Sequence, residues 1–447
     1  HVILTPEGYP FAAFIYLPNK DFNQTLQTVV KYWQQTPDKI RKIAQDSVTP
    51  TVPAQAFNLQ PIEFKGKLLE QVSRSLDDLS GGLTGSTKFP QAPLLKGLLS
   101  IPELTPAIEQ WLLLTLDQMQ DQHLFDHIHG GFYRYTVDPE WQIPHFEKMA
   151  YTQALLADIY LQAGQRYHRQ DYLDTAKSTL EYLKIHLFNA KVGLYQSSQS
   201  AIDKHGEEGG YYLWHRDRLQ KTLSKAAFAE VNQAWSLGAP MPHDLGWHPS
   251  KTEFHWPAIK AALTTPVERI PVDTKSILGW NGLILSALSR AYSVLNDSHY
   301  LERANQLAKR LNTLLQNSHP PRALSDNGDF MGEANLQDYA FIYQGLKDWQ
   351  QLSLQPPDKT ALTDSISTLE MTILDKFYTS SGWRYHPTPL LPGQQGEWVI
   401  EDNAIPSPTA IVSCLAPKSM LYAGQDLMRL PINYPSYLSP INHCVKP

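Results

Sequence analysis

A chain of 447 residues, 42% hydrophobic and 18% charged, with a net charge of −6, has room for two or three average domains or one large domain with an appendage. The negative balance and the lack of any Lys/Arg-rich block argue against a nucleic-acid or anionic-membrane partner. No apolar run reaches the roughly 18 residues that a membrane span needs.

The first stretch, "HVILTPEGYPFAAFIYLP", reads as strand, turn, strand, with Pro and Gly supplying the turn. It opens on His1 inside a strand-like segment, so the natural N-terminus is expected upstream. A helical pattern follows, with Leu26, Val29, Val30 and Trp33 on one stripe. Two strands and a helix are too little for a domain and read as the tail end of one. After the Pro-containing linker "TPTVPAQAFNLQP" the pattern is helical to the end. Tyr172, Ala176, Leu180, Leu183 and Leu187 recur near the 3.6-residue period, as do Ile284, Leu288, Ala291 and Leu295. Further helices are predicted in "PAIEQWLLLTLDQMQ", "YLERANQLAKRLNTLL", "LQDYAFIYQGLKDWQQL" and "ALTDSISTLEMTILDKF".

Loops that set glycine beside an aromatic or apolar residue alternate with these helices: "GGFYRY", "VGLYQS", "GGYYLW", "GDFMGE" and "SGWRYH". A repeated helix pair cannot bury its own face and must stack on its neighbours. About six such pairs closed into a ring make an α/α toroid; left open they make a solenoid. Periodicity does not choose between the two.

The most concentrated polar chemistry lies in "IPHFEKMAYTQALL". Pro144 suits the first turn of a helix. His145 and Lys148, three apart, would then share a face, with Glu147 to one side. At the mouth of a ring, a histidine can act as a base near neutral pH and a carboxylate can orient it. The competing reading is a polar collar, with Glu147 complementing the helix dipole. Arg134 and Tyr135, Glu208 beside Glu207, Asp273 ahead of Trp280 and Asn281, and the pair Asp338 and Tyr339 are candidate substrate-binding groups near helix starts. Asp338 serves equally well as a helix N-terminal partner, and Trp280 as core. The histidines of "FDHIHGG" are two apart and no H-E-x-x-H occurs, so no metal site is expected. Cys414 and Cys444 form no C-x-x-C pair, which points away from a disulfide framework or cysteine-bound zinc and makes a reducing cytosol the expected compartment.

Taken in order, "TKFP", "GGFYRYTVDPEW", "PHFEKM", "GEEGGYYLW", "WNGL", "QDYAF" and "DNAIPS" closely resemble the spermatogenesis-associated protein 20 / YyaL-type thioredoxin-domain proteins, over about residues 1–414. The resemblance implies a mainly α fold, an α/α six-hairpin toroid of the N-acylglucosamine 2-epimerase and six-hairpin glycosidase type, and so supplies ring closure. It implies that residues 1–48 are the remnant of a thioredoxin-like α/β domain, 49–66 a linker and 67–447 the toroid, with the family's cysteine motif upstream. Departures include Gln142 where the family usually has His, and Ser200 and Ala201 at acidic positions. Ile405, Pro408 and Thr409 stand in a turn that is polar and glycine-containing elsewhere. The interval from Cys414 to Cys444 is short, which implies reduced C-terminal helices and a ring with an open seam.

Three functions are weighed on these grounds. The first is sugar epimerase or isomerase chemistry on a small carbohydrate. His145 would move a proton next to a carbonyl, Glu147 would orient it, and Lys148 or Arg134 would steady the enolate oxygen. No cofactor is required. The second is a non-catalytic module that binds a ligand or a protein partner. The third is thiol redox or chaperone work, implied by the family's thioredoxin-like domain. The sequence leaves the oligomeric state open.

Overall fold

A computed structural model of the chain describes residues 1–14, 17–47, 56–264, 270–352, 356–389, 391–392 and 394–444. Residues 15–16 of the predicted second strand, residue 48, and 49–55 of the predicted linker lie outside these. The opening hairpin pairs β1 (Val2–Leu4) with β2 (Pro10–Ala13) around the Pro-Gly turn. Helices α1 (Asn19–Gln35) and α2 (Pro37–Ser47) follow, the first with no buried residue.

From α3 (Pro61–Ser75) onward the helices sort into two kinds. One kind is buried on nearly every side: α4 (Ala92–Leu99), α6 (Ala150–Tyr167), α11 (Leu278–Leu295), α13 (Leu336–Gln350) and the short α15 (Pro408–Val412). The other kind buries one stripe: α5 (Pro106–Asp121), α7 (Gln170–Tyr182) and α12 (Ser298–Leu315). Also following an inner helix are α14 (Pro356–Phe377) and α16 (Lys418–Arg429). A helix covered all round must have neighbours on all sides, whereas a one-stripe helix faces water with the rest of its surface. The first kind therefore lines the inner wall, and the second wraps it. Between α7 and α11, helices α8 (Arg216–Thr222), α9 (Lys225–Ala234) and α10 (Trp256–Thr264) pack on a separate apolar cluster around Trp214, Val231 and Trp247.

Inner helices touch in order, α4 to α6, α6 to α11, α11 to α13 and α13 to α15. The α11–α13 contact is backbone against backbone. A Cβ on Gly282 would stand 2.5 Å from the Phe341 carbonyl, and one on Gly345 would stand 2.5 Å from the Gly282 oxygen. Closure comes from the C-terminal segment. The 3₁₀ turn Pro435–Tyr437 touches both α15 and α4, and α17 (Leu438–Cys444) packs on α3. Gly97 of α4 admits that turn, since a Cβ there would lie 3.0 Å from the Pro435 oxygen.

The structure is thus an α/α toroid, and the expected open seam is filled by a 3₁₀ turn and a seven-residue helix. A disulfide between Cys414 and Cys444, with Cα atoms 5.4 Å apart, fastens the end of α15 to the end of α17. This corrects the reading of the cysteines as unpartnered, and it removes the ground on which a reducing compartment was expected. Spacing along the chain says nothing about separation in space; the ring brings the two together.

Short strands gather where the inner helices begin. Tyr135–Thr136 (β3) pairs antiparallel with Pro144–His145 (β4). Lys148–Met149 (β5) pairs with Ser198–Gln199, which pairs in turn with Val272–Asp273. Ser276–Ile277 adds to a hairpin made by Pro321–Leu324 and Phe330–Glu333. These segments lead directly into α6, α11 and α13, so the positive ends of three helix dipoles collect at one mouth of the ring.

Because the disulfide closes a loop of 30 residues across the seam, Cys444→Ala should lower unfolding free energy by about 3–4 kcal/mol, read from urea denaturation. An unchanged midpoint would show that the seam holds without it.

Candidate active site

The residues of "PHFEKM" are extended, and helix α6 starts only at Ala150. That corrects the helical placement of His145, Glu147 and Lys148. In extended chain, successive side chains point to opposite sides. Phe146 and Lys148 are buried, while His145 and Glu147 are half-buried and border a cavity of about 340 Å³ with Ser198, Ser200 and Asp273.

Lys148 is therefore not a group for substrate. Its Nζ lies fully buried, 2.6 Å from Asp126 Oδ2 and 2.9 Å from the Gly130 oxygen, boxed by the rings of Tyr133, Tyr182 and Tyr212. Burial pulls its ammonium down in pKa, against the pull of Asp126. Burial also opposes the Asp126 carboxylate, but Lys148 and His129 overcome it and hold it well below the usual carboxylate range.

On the cavity side the groups form a continuous chain. Glu208 Oε1 meets His145 Nδ1 at 2.5 Å. The other imidazole nitrogen, Nε2, stands 3.9 Å from Glu147 Oε2, which accepts a 3.1 Å hydrogen bond from Arg134. Burial lowers the Arg134 pKa, but Tyr151 and Glu147 outweigh it and leave the guanidinium raised. Tyr135, opposite His145 in the β3–β4 pair, sets its ring 5.1 Å from the imidazole and stacks on Phe89 at 4.5 Å.

Arg134 and Tyr151 also line two further lobes of about 330 and 360 Å³, which share Asn403 and Ala404. Phe89, Gln91 and Asp402 wall the first lobe; Gln337, Tyr385 and Glu401 wall the second. The inner wall thus surrounds a basin with polar and aromatic sides, and the Arg134–Glu147 bond joins it to the His145 cavity.

The remaining sequence candidates divide. Glu208 and Asp273 are at the site, Asp273 also paired to Lys275 at 3.1 Å. Trp280 stands edge-on behind Tyr151 at 4.9 Å. Asn281, Asp338 and Tyr339 are buried structural groups instead. Asn281 clamps the Tyr195 backbone through both N–H and C=O. Asp338 closes the capping box of α13, accepts from Gly279 N–H, and is bound by Arg322 at 3.1 Å. Tyr339 lies in the core, its hydroxyl accepting from Lys376 at 3.2 Å. Among the described residues, no group of three or more His, Cys, Asp or Glu side chains could hold a metal ion, and no helix is long and apolar enough to cross a membrane.

Sequence reasoning missed Tyr151, Phe89, Asp402 and Asn403 as lining groups. The last two stand in "DNAIPS", a segment flagged only as a motif. Asp402 accepts from the N–H of Ser407, the α15 cap, at 2.6 Å and from the N–H of Ser436, in the closing turn, at 2.7 Å. It therefore ties the seam and lines the basin at once. Burial pushes its carboxyl up to about 6, against those hydrogen bonds.

No protein-family model matches the chain. Spermatogenesis-associated protein 20 of Rattus norvegicus is 25% identical over 425 residues, covering 79% of this chain and 54% of the relative. The Homo sapiens protein of the same name is 24% identical over 457 residues, covering 86% and 58%. The chain thus spans a little over half the length of these homologues. Among solved structures, a cellobiose 2-epimerase from Bacillus thermoamylovorans B4167 superposes with a TM-score of 0.51 at 12% identity, over 86% of this chain and 87% of the other. A D-mannose isomerase superposes with the same score at 11% identity and the same coverage. The fold is that of these toroids.

Two outcomes test the site's construction. Lys148→Met strands the buried Asp126 charge and should cost about 3–5 kcal/mol in urea unfolding; a loss under about 1 kcal/mol would contradict the pairing. Asp402, with a folded pKa of about 6 against an unfolded value near ~3.9, binds its proton more tightly when folded. Its contribution is therefore largest below about pH 4 and is lost as pH rises through 6. The stability of the wild type relative to Asp402→Asn should fall by about 1–2 kcal/mol from pH 4 to 6.5, with partial exposure allowed for. A flat difference would show that the carboxyl is not shifted.

Proposed function

We propose that the basin binds a small carbohydrate and that His145 transfers a proton at the carbon next to its carbonyl, as in an epimerase or isomerase. The observation that carries this reading is the Glu208–His145 contact of 2.5 Å, in a histidine that borders the cavity. A carboxylate on Nδ1 fixes the tautomer that carries hydrogen there, and leaves the Nε2 lone pair as the base. The C–H proton passes to Nε2 while the bonding pair moves into a C=C bond and charge gathers on the carbonyl oxygen. Arg134, already at the junction of the cavity lobes, is placed to bind that oxygen. Glu147, held by Arg134, offsets the imidazolium once it forms. The epimer forms when the enediolate turns its other face to Nε2 before it takes the proton back. Return to the neighbouring carbon, after a proton shift between oxygens, gives the isomer. Phe89, backed by the stacked ring of Tyr135, gives the first lobe an aromatic wall for a sugar ring. The fold shared with cellobiose 2-epimerase and D-mannose isomerase supports this choice of substrate class.

A second reading is binding without turnover, for a ligand or a protein partner. Ile405 and Pro408, which stand in a turn that the family resemblance gives as polar and glycine-containing, add apolar wall to the second lobe, which favours it. A thiol role within this chain has no matching pair, because its two cysteines are bonded to each other across 30 residues and form no C-x-x-C.

Incubation with a panel of aldoses, ketoses and N-acyl sugars in D2O separates the readings. Turnover predicts deuterium entering next to the carbonyl, lost by at least about 100-fold in His145→Ala and reduced in Glu208→Gln. Thermal stabilisation by a sugar with no exchange would support the binding module. Exchange unchanged in His145→Ala would remove the histidine from the mechanism.

A further inference from the structure

The outer wall carries a second cavity of about 400 Å³, between the end of α7 and the face of α12, which shares no lining residue with the basin. Helix α7 does not simply end there. It passes into a π-helical turn, Leu183–Leu187, a wider winding that recurs at functional sites. The turn sets Lys184 on the cavity rim, and Phe188 follows as part of the wall. Phe188 and the buried Tyr195 lie with ring centroids 5.1 Å apart and planes at 56°, and give that wall an aromatic, apolar side.

The polar side of the cavity is basic, in a chain whose net charge is −6. Lys184 Nζ donates to His299 Nε2 at 2.9 Å, with the Glu181 carboxylate 3.9 Å away. Arg310 is anchored by its Nε to the Val192 oxygen at 3.0 Å. The two terminal nitrogens of its fork have no hydrogen-bond partner among the described residues. Behind them Arg303 is buried, held by the Tyr195 hydroxyl and the Leu180 oxygen and paired with Glu181 at 3.2 Å. One carboxylate, Glu302, lines the cavity, and it is engaged along its own helix by Gln306. An anchored guanidinium with its fork free is preorganised for an oxyanion.

We propose that this outer cavity binds a small molecule with an oxyanion head group on an apolar body. Lys184, His299 and Arg310 take the head group, and Phe188 and Tyr195 take the body. The site is separate from the sugar basin and independent of what the basin does.

Isothermal titration with phenyl phosphate tests it. The wild type should bind one equivalent, more tightly than inorganic phosphate, and lose affinity as salt is raised. Arg310→Gln and Lys184→Gln, both at the rim, should each weaken binding by about tenfold or more. Arg134→Gln, in the basin, should leave the affinity within about twofold. No binding by the wild type, undiminished binding in both rim variants, or loss of binding in Arg134→Gln would each overturn the proposal.

Discussion

The ion pair of Lys148 with Asp126 is the contact on which the rest of the site depends. It is buried at 2.6 Å beneath the mouth of the ring, and it fixes the extended segment that carries the imidazole. With Lys148 and Phe146 locked inward, His145 and Glu147 have only the cavity side to occupy. An uncompensated charge at that depth would cost several kcal/mol, so the register of the strand is strongly specified. A buried charge here acts as a positioning device, and His145 and Glu147 lie one residue to either side of Phe146.

The ring supplies the second constraint. Inner helices covered on every side require that the circle of neighbours be complete, and the last neighbour is a 3₁₀ turn with a short helix. Asp402, Gly97 and the Cys414–Cys444 bond all serve that junction, and Asp402 also faces the basin. Closure of the seam and the shape of the first lobe are therefore one problem, solved by the same residues.

How much of this was legible in the sequence follows from what each signal measures. The stripes through Tyr172, Ala176 and Leu180, and through Ile284, Leu288 and Ala291, lie on α7 and α11 as the 3.6-residue period demands. "HFEKM" misled because Lys148 looks like a solvated residue. Counted as buried, the segment alternates with period two and reads as a strand. Asn281 and Asp338 look like ligand groups, since a polar side chain at a helix start looks the same whether it satisfies backbone or substrate. The closing turn has too few residues to show any period. Its place in the ring became visible only with α4 and α15 beside it.

The account stands or falls on where a sugar's carbonyl-side carbon comes to rest. A crystal structure with a bound alditol, the reduced and unreactive form of a sugar that stabilises the protein, measures this directly. The account predicts the second carbon about 3–3.5 Å from His145 Nε2, with its neighbouring oxygen on Arg134. An alditol seated away from the imidazole, or an imidazole turned off Glu208 with Nε2 facing the protein interior, would contradict it.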